Sequence, residues 1–163
     1  MIVVSDASPL NVLVRIGFAD TLRTLFHSVV IPPAVASELS HANTPDSVRR
    51  WMTAPPDWIT IRTPSHVDPT LHLDDVGETE AISLALELKA DLLLADDHKA
   101  RRVAQERGIT ITGTIGVLEL AAARHLLSLP DAFERIRKTD FRVAERILQE
   151  ALQRNLNRRE KNR

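Results

Sequence analysis

The sequence predicts an α/β domain: a parallel sheet of about four to five strands flanked by helices, with an extra helical segment at the carboxyl end. Two observations carry this. Short β-branched or leucine-rich runs alternate with helical patterns as far as residue 112, the order that builds parallel sheets. Beyond residue 113 only helical periodicity remains.

The first run, "IVVSD" (2–6), reads as a strand ending in an acid. "SPLNVLVRIG" follows, with Ser8 placed to cap and Pro9 at the first helical position. Leu10, Leu13 and Val14, then Leu22 and Leu25, keep a helical period that breaks at Gly17. "SVVIP" (28–32) is a second strand, and "PAVASELS" starts a helix at Pro33 that carries Glu38. A short helix is expected over 46–53 and a strand over 58–63, followed by a polar loop over 64–75 with two prolines and three aspartates. Residues 76–90 form an amphipathic helix with Ala81, Leu84, Ala85 and Leu88 on one stripe. "DLLLAD" (91–96) is a buried strand, four apolar residues between acidic ends. A basic helix, "HKARRVAQERG", stops at Gly108; "ITIT" (109–112) is the last strand, and "GTIGVLELAAARHLL" opens a helix among glycines. "DAFERIRK" and "VAERILQEALQRNLNRR" complete the helical end.

Composition narrows the function classes. The 163 residues suit one domain, and no apolar run approaches the ~20 residues a membrane span needs. The amino terminus has no basic start and meets Asp6 early, unlike a signal peptide. With no cysteine there are no disulfides, no thiolate zinc sites and no thiol catalysis, in keeping with a cytoplasmic protein. The net charge of −1 hides an asymmetry: residues 1–100 carry 7 Lys and Arg against 14 Asp and Glu, and residues 101–163 carry 14 against 8. An acidic first part is thus followed by a basic one, either a solubilising tail or a surface that attracts polyanions. The six histidines show no ligand spacing, and 4% aromatic content leaves little to build a base-stacking platform. No Walker or dinucleotide fingerprint is present.

The acids fall where an open parallel sheet binds ligands, beyond the carboxyl ends of its strands. Asp6 ends the first strand and Asp96 the "DLLLAD" strand, with Asp97 next to it; Glu38 lies in the helix after the second strand, and Glu78 opens the helix before the fourth. Carboxylates gathered together repel unless a cation or protons sit among them. An all-oxygen donor set without His or Cys suits Mg²⁺ or Mn²⁺. The chemistry this favours is phosphodiester hydrolysis.

Four segments, "VVSDASPLNVL", "VIPPAVASEL", "VGETEAISLALEL" with "LLLADDHKARRVA", and "GITITGTIGVLELA", in this order resemble the PIN-domain superfamily. More narrowly they are similar to a prokaryotic PIN-like branch long catalogued without a function. The resemblance implies a PIN-like domain over 1–150, with 151–163 a basic tail. It implies a metal-dependent ribonuclease related to toxin–antitoxin toxins, with RNA as substrate, Mg²⁺ or Mn²⁺ as cofactor, an antitoxin protein as a further partner and a homo-oligomer such as a dimer. The apolar Ile147, Leu148 and Leu152 are expected to be exposed for such pairing. Asp6 matches the first acid of the family's quartet, Glu38 the second and Asp96 the fourth. Glu78 stands where the third is usually Asp, 18 residues before Asp96, and is preferred over Glu80 because residues two apart on a helix do not share a face. Asp6, Glu78, Asp96 and Asp97 are the expected metal ligands, Asp97 alternatively serving as a helix cap. Ser8 is expected to orient Asp6.

Thr114, with Thr112 and the neighbouring glycines, either turns backbone N–H groups toward a phosphate or forms a tight turn. Lys99, Arg101 and Arg102 are a candidate nucleic-acid contact or a solvated helix face. The competing class is a non-catalytic PIN-like module that binds nucleic acid or protein, motivated by Glu at the third acidic position. A phospho-receiver reading fails, because it requires an acidic pair after the first strand and this chain has Asp6 alone there.

Overall fold

The computed structural model describes residues 1–163. The chain forms two compact units, 1–114 and 115–163. The first holds five strands: β1 (Val3–Ser5), β2 (Val29–Ile31), β3 (Ile59–Ile61), β4 (Leu92–Leu94) and β5 (Ile111–Thr112). They make one parallel sheet in the order β3-β2-β1-β4-β5. The chain runs outward from β1 to β3, returns to β4 on the other side of β1, and ends at β5. The reversal of strand order therefore lies at β1 and β4, where open sheets leave a crevice. Their register pairs Val3 with Leu92, Val4 with Leu93 and Ser5 with Leu94, so the residues after Ser5 and Leu94 emerge side by side. Asp6 N–H extends the pairing by donating to Leu94 O at 2.9 Å.

Why these runs are strands is visible in their burial. Val4, Leu93 and Leu94 are fully buried, each contributing about 1.5–3 kcal/mol of hydrophobic stabilisation. The outer strand β3 buries Ile59 and exposes Thr60 and Ile61, as an edge strand does. Between strands run α1 (Ala7–Arg15), α2 (Thr21–Phe26), α3 (Pro33–Leu39), α4 (Asp46–Thr53), α5 (Val76–Leu88) and α6 (His98–Glu106). The break between α1 and α2 falls at Gly17, whose φ of 82° ends the first helix as its sequence position foretells. The polar loop before α5 contains one 3₁₀ turn, Pro69–Leu71, that drives Leu71 into the core. Trp51 of α4 and Trp58 stack at a corner, ring centroids 5.9 Å apart and tilted by 57°.

Two local expectations are corrected. Ser8 is not the cap of α1: the helix begins at Ala7 and Asp6 takes the cap position, leaving Ser8 inside the first turn. Helix α5 is less amphipathic than its stripe implies, since Ile82 and Ser83 are buried along with Ala81, Leu84 and Ala85. It packs on β1 and β4 and against α3 and α6, so more than one face is covered. Ser83 meets that environment by accepting a bond from Asp68 N–H at 3.0 Å.

The second unit is helical. It takes all of α7 (Thr114–Ala123) after its first residue, then α8 (Leu129–Arg137) and α9 (Glu145–Lys161). Ser128 caps α8 through Asp131 N–H, and Phe133 and Ile136 of α8 are buried. Leu148 is 1% exposed, against the expectation of an outward apolar position, because it lies on the inward stripe of α9 with Ala151. Ile147 and Leu152 are half-buried. Helix α9 continues through the stretch read as a basic tail, as far as Lys161. No helix is long and apolar enough to cross a membrane.

Candidate metal centre

Asp6 reaches the site from the carboxyl end of β1. Its side chain is buried, and Oδ1 is closed to solvent with no hydrogen-bond partner. A buried carboxylate oxygen without a partner is costly unless it is protonated or meets a cation. Glu38 comes from α3, whose start is fixed by Pro33 and by Ala34 N–H donating to Glu80 Oε2 at 3.1 Å. Asp75 precedes α5 and caps it, Oδ1 accepting from Glu78 N–H at 2.8 Å. One carboxylate oxygen from each of Asp6, Glu38 and Asp75 lies within 4.8 Å of the others.

Gly77 explains how three acids approach a helix so closely. A β-carbon built there would stand 3.2 Å from Asp75 Oδ1, 3.3 Å from Glu38 Oε2 and 3.6 Å from Asp6 Oδ1. The missing side chain thus leaves a small cradle walled by three carboxylates. The donor set is all oxygen, the orphaned atom faces no protein donor, and the cradle is the size of a lost methyl. These residues fit a hard divalent cation.

The electrostatics agree. Burial pushes Asp6 up to about 7, with the charges of Glu38, Asp75 and Asp96 acting in the same direction and the Ala7 N–H opposing. Glu78 is pushed up to about 8, first by burial and then by Asp6, Asp97, Asp75 and Glu38. Glu38 is raised by burial and by Asp75. Without a counter-charge the cluster holds protons near neutral pH.

Asp96 is placed beside this cluster but is satisfied by the protein. Ser8 Oγ and Thr114 Oγ1 each donate to its Oδ2 at 2.7 Å, and Thr114 N–H donates to Oδ1 at 2.7 Å. Gly113 makes room here: a β-carbon there would be 2.7 Å from Asp96 Oδ1 and 2.8 Å from Arg101 Nη1. Asp97 caps α6 by accepting from Ala100 N–H at 3.0 Å.

A family model, DUF3368, described as a PIN domain, matches residues 2–156. The chain belongs to the PIN-domain family. No curated protein and no solved structure matches it. PIN domains are generally nucleases and usually use a divalent metal, so the acidic cluster stands in a family whose function is of nuclease type.

Of the sequence-expected acids, Asp6 and Glu38 meet in this PIN domain together with Asp75, while Asp96 acts on Asp6, and Asp97 on Glu78, through their charges. Glu80 is engaged at the start of α3, where Ala34 N–H donates to it. Ser8 orients Asp96 instead of Asp6, since the first turn of α1 points its hydroxyl across to β4. Thr114 N–H is committed to Asp96 and so is not free for a phosphate. Lys99 and Arg102 are exposed, whereas Arg101 is partly buried with Nη1 against Gly113. Asp75 is the residue the sequence reading missed. Its signal was present in "DVGE", an acid directly before a helix with Glu three residues on, the pattern of a capped start.

Proposed function

We propose that this PIN domain is a metal-dependent endoribonuclease that hydrolyses phosphodiester bonds in RNA at the acidic cluster, with Mg²⁺ or Mn²⁺ as cofactor. The observation that carries the reading is the meeting of Asp6, Glu38 and Asp75 around the cradle at Gly77, with Asp6 Oδ1 unpartnered. Asp6, Glu38 and Asp75 would hold the cation directly, and Glu78 would complete the set from the first turn of α5. Asp96, three of whose acceptor sites are taken, would act through water together with Asp97. The bound cation supplies charge neutralisation at the phosphate and a more acidic water. The residues do the rest. Asp6 is fixed by its backbone bond to Leu94, and Asp96 is fixed by Ser8 and Thr114, so the acids need no reorganisation when substrate arrives. Glu78, held protonated to about 8 by burial and its acidic neighbours, would give up that proton when a cation adjoins it.

A toxin role, with an antitoxin covering the acidic cluster and a dimeric assembly, extends the same reading through the family resemblance. One observation favours a second reading, a PIN module that binds without efficient cleavage: Asp96 is saturated by protein donors.

Cleavage of labelled single-stranded and structured RNA separates the two. Cutting is expected with Mn²⁺ or Mg²⁺, and its loss with EDTA and in Asp6→Asn. Well-folded protein that neither cuts nor binds Mn²⁺ by calorimetry would favour the binding module.

A further inference from the structure

The inward stripe of α9 changes character along its length. Leu148 and Ala151 are buried apolar residues, but the same face continues as Asn155, Arg158, Arg159 and Asn162, spaced i, i+3, i+4 and i+7. There the stripe borders a recess of about 240 Å³, room for about eight waters. Its other wall is the end of α7, where Ala122 and Ala123 are small enough to leave the space open. No aspartate or glutamate lines it.

Two groups at this recess lack partners. Asn155 is 6% exposed, yet its side chain makes no hydrogen bond within the protein. Arg158 Nη1 is closed to solvent and has no acceptor. Arg154, one turn before Arg158, shows what a satisfied guanidinium on this helix does: it binds Glu119 at 2.8 and 3.0 Å. Basic residues in the last turn of a helix are explained by the helix dipole. The dipole does not explain a recess that gathers an amide with no hydrogen bond and a guanidinium nitrogen closed to solvent with no acceptor. His125 also lines the space, from a left-handed position (φ 60°) that closes α7.

We propose that this recess in the second unit is a phosphate-binding subsite for the backbone of RNA, held by Arg158, Arg159 and Asn155 with His125 at its edge. The inference rests on the ribonuclease reading for the identity of the polyanion. Guanidinium and amide donors match the several acceptor oxygens of a phosphate. The recess has the volume for one such group, and it favours a single compact anion over a run of carboxylates. It carries no Phe, Tyr or Trp, and its guanidinium donors suit the phosphate of the backbone.

The test uses the full chain in EDTA, so that RNA is not cut. A labelled 12-nucleotide single strand is titrated by anisotropy at several salt concentrations, and inorganic phosphate is followed by NMR at the Asn155 side-chain amide. Arg158→Gln with Arg159→Gln is expected to weaken RNA binding about tenfold and to flatten the salt slope by about one unit. Asn155→Asp, nearly isosteric, should weaken it in the same direction while the melting temperature is kept. Wild-type affinity in both variants, or no response of Asn155 to phosphate, would overturn the subsite. A glutamate decapeptide that shifts Asn155 where RNA and phosphate do not would overturn it in favour of an acidic protein segment. Recess-dependent RNA binding by a protein that cuts nothing with Mn²⁺ would uphold the subsite while the nuclease reading fails.

Discussion

Asp6 and Asp96 occupy equivalent places, one residue beyond the end of β1 and two beyond the end of β4, on neighbouring parallel strands. Their surroundings are opposite. Asp96 accepts three short hydrogen bonds from Ser8 and Thr114. Asp6 has a buried oxygen that nothing in the protein satisfies, and its neighbours are further acids. One carboxylate is therefore a structural tie whose charge is compensated by donors. The other is held against its own solvation, which is worthwhile only if something arrives to meet it. Position in the sheet sets where an acid can act; the donors around it set whether it is free to act.

The strongest way to break this comparison is to neutralise each acid in turn. Asp96→Asn places an amide where two hydroxyls and an N–H already donate, and should cost about 2–4 kcal/mol in denaturant unfolding. Asp6→Asn in metal-free protein at pH 8 should instead be neutral or stabilising, because it removes a charge that burial and neighbours disfavour. Equal losses in both variants would show that Asp6 is a structural acid like Asp96.

A smaller effect is expected from Gly77→Ala. Alanine favours the helix by roughly 1 kcal/mol over glycine, so the fold should hold. Its methyl would fill the cradle between Asp75, Glu38 and Asp6. Mn²⁺ affinity by calorimetry should fall about tenfold or more, a loss of about 1.4 kcal/mol. Unchanged affinity would place the cation elsewhere.

The smallest is a pH effect on the metal-free protein. Asp6 and Glu78 titrate near 7 and 8 when folded and near 4 when unfolded, so the folded state binds more protons between these values. Stability should accordingly fall as pH rises from about 4 to about 8, seen as a decline in melting temperature. Mn²⁺ should oppose the decline most at the high end, where it no longer competes with protons. A melting temperature that rises over that range would contradict the assigned strain.

The sequence made Asp6 and Asp96 legible because a short apolar run ending in an acid states its own strand-end position. It did not reveal what distinguishes Asp6 from Asp96, because the donors to Asp96 come from Ser8 and Thr114, separated from it by 88 and 18 residues. Asp75 was overlooked for a related reason. Locally it is a helix cap, and only the packing of α3 against α5 brings Glu38 to it. Leu148 and the stretch after residue 150 were misjudged because a helix with many charges hides a narrow inward stripe.

The Trp51–Trp58 pair has a consequence of another kind. The chain has no tyrosine, and both tryptophans lie in the first unit, at the corner beside β3. Ultraviolet emission is thus a local reporter of residues 1–114, and residues 115–163 are dark to it. Heating curves recorded by fluorescence and by far-ultraviolet dichroism watch different parts of the chain. If they coincide, the helical end melts with the sheet; if the dichroism moves first, the recess of α9 loosens while the acidic cluster still stands.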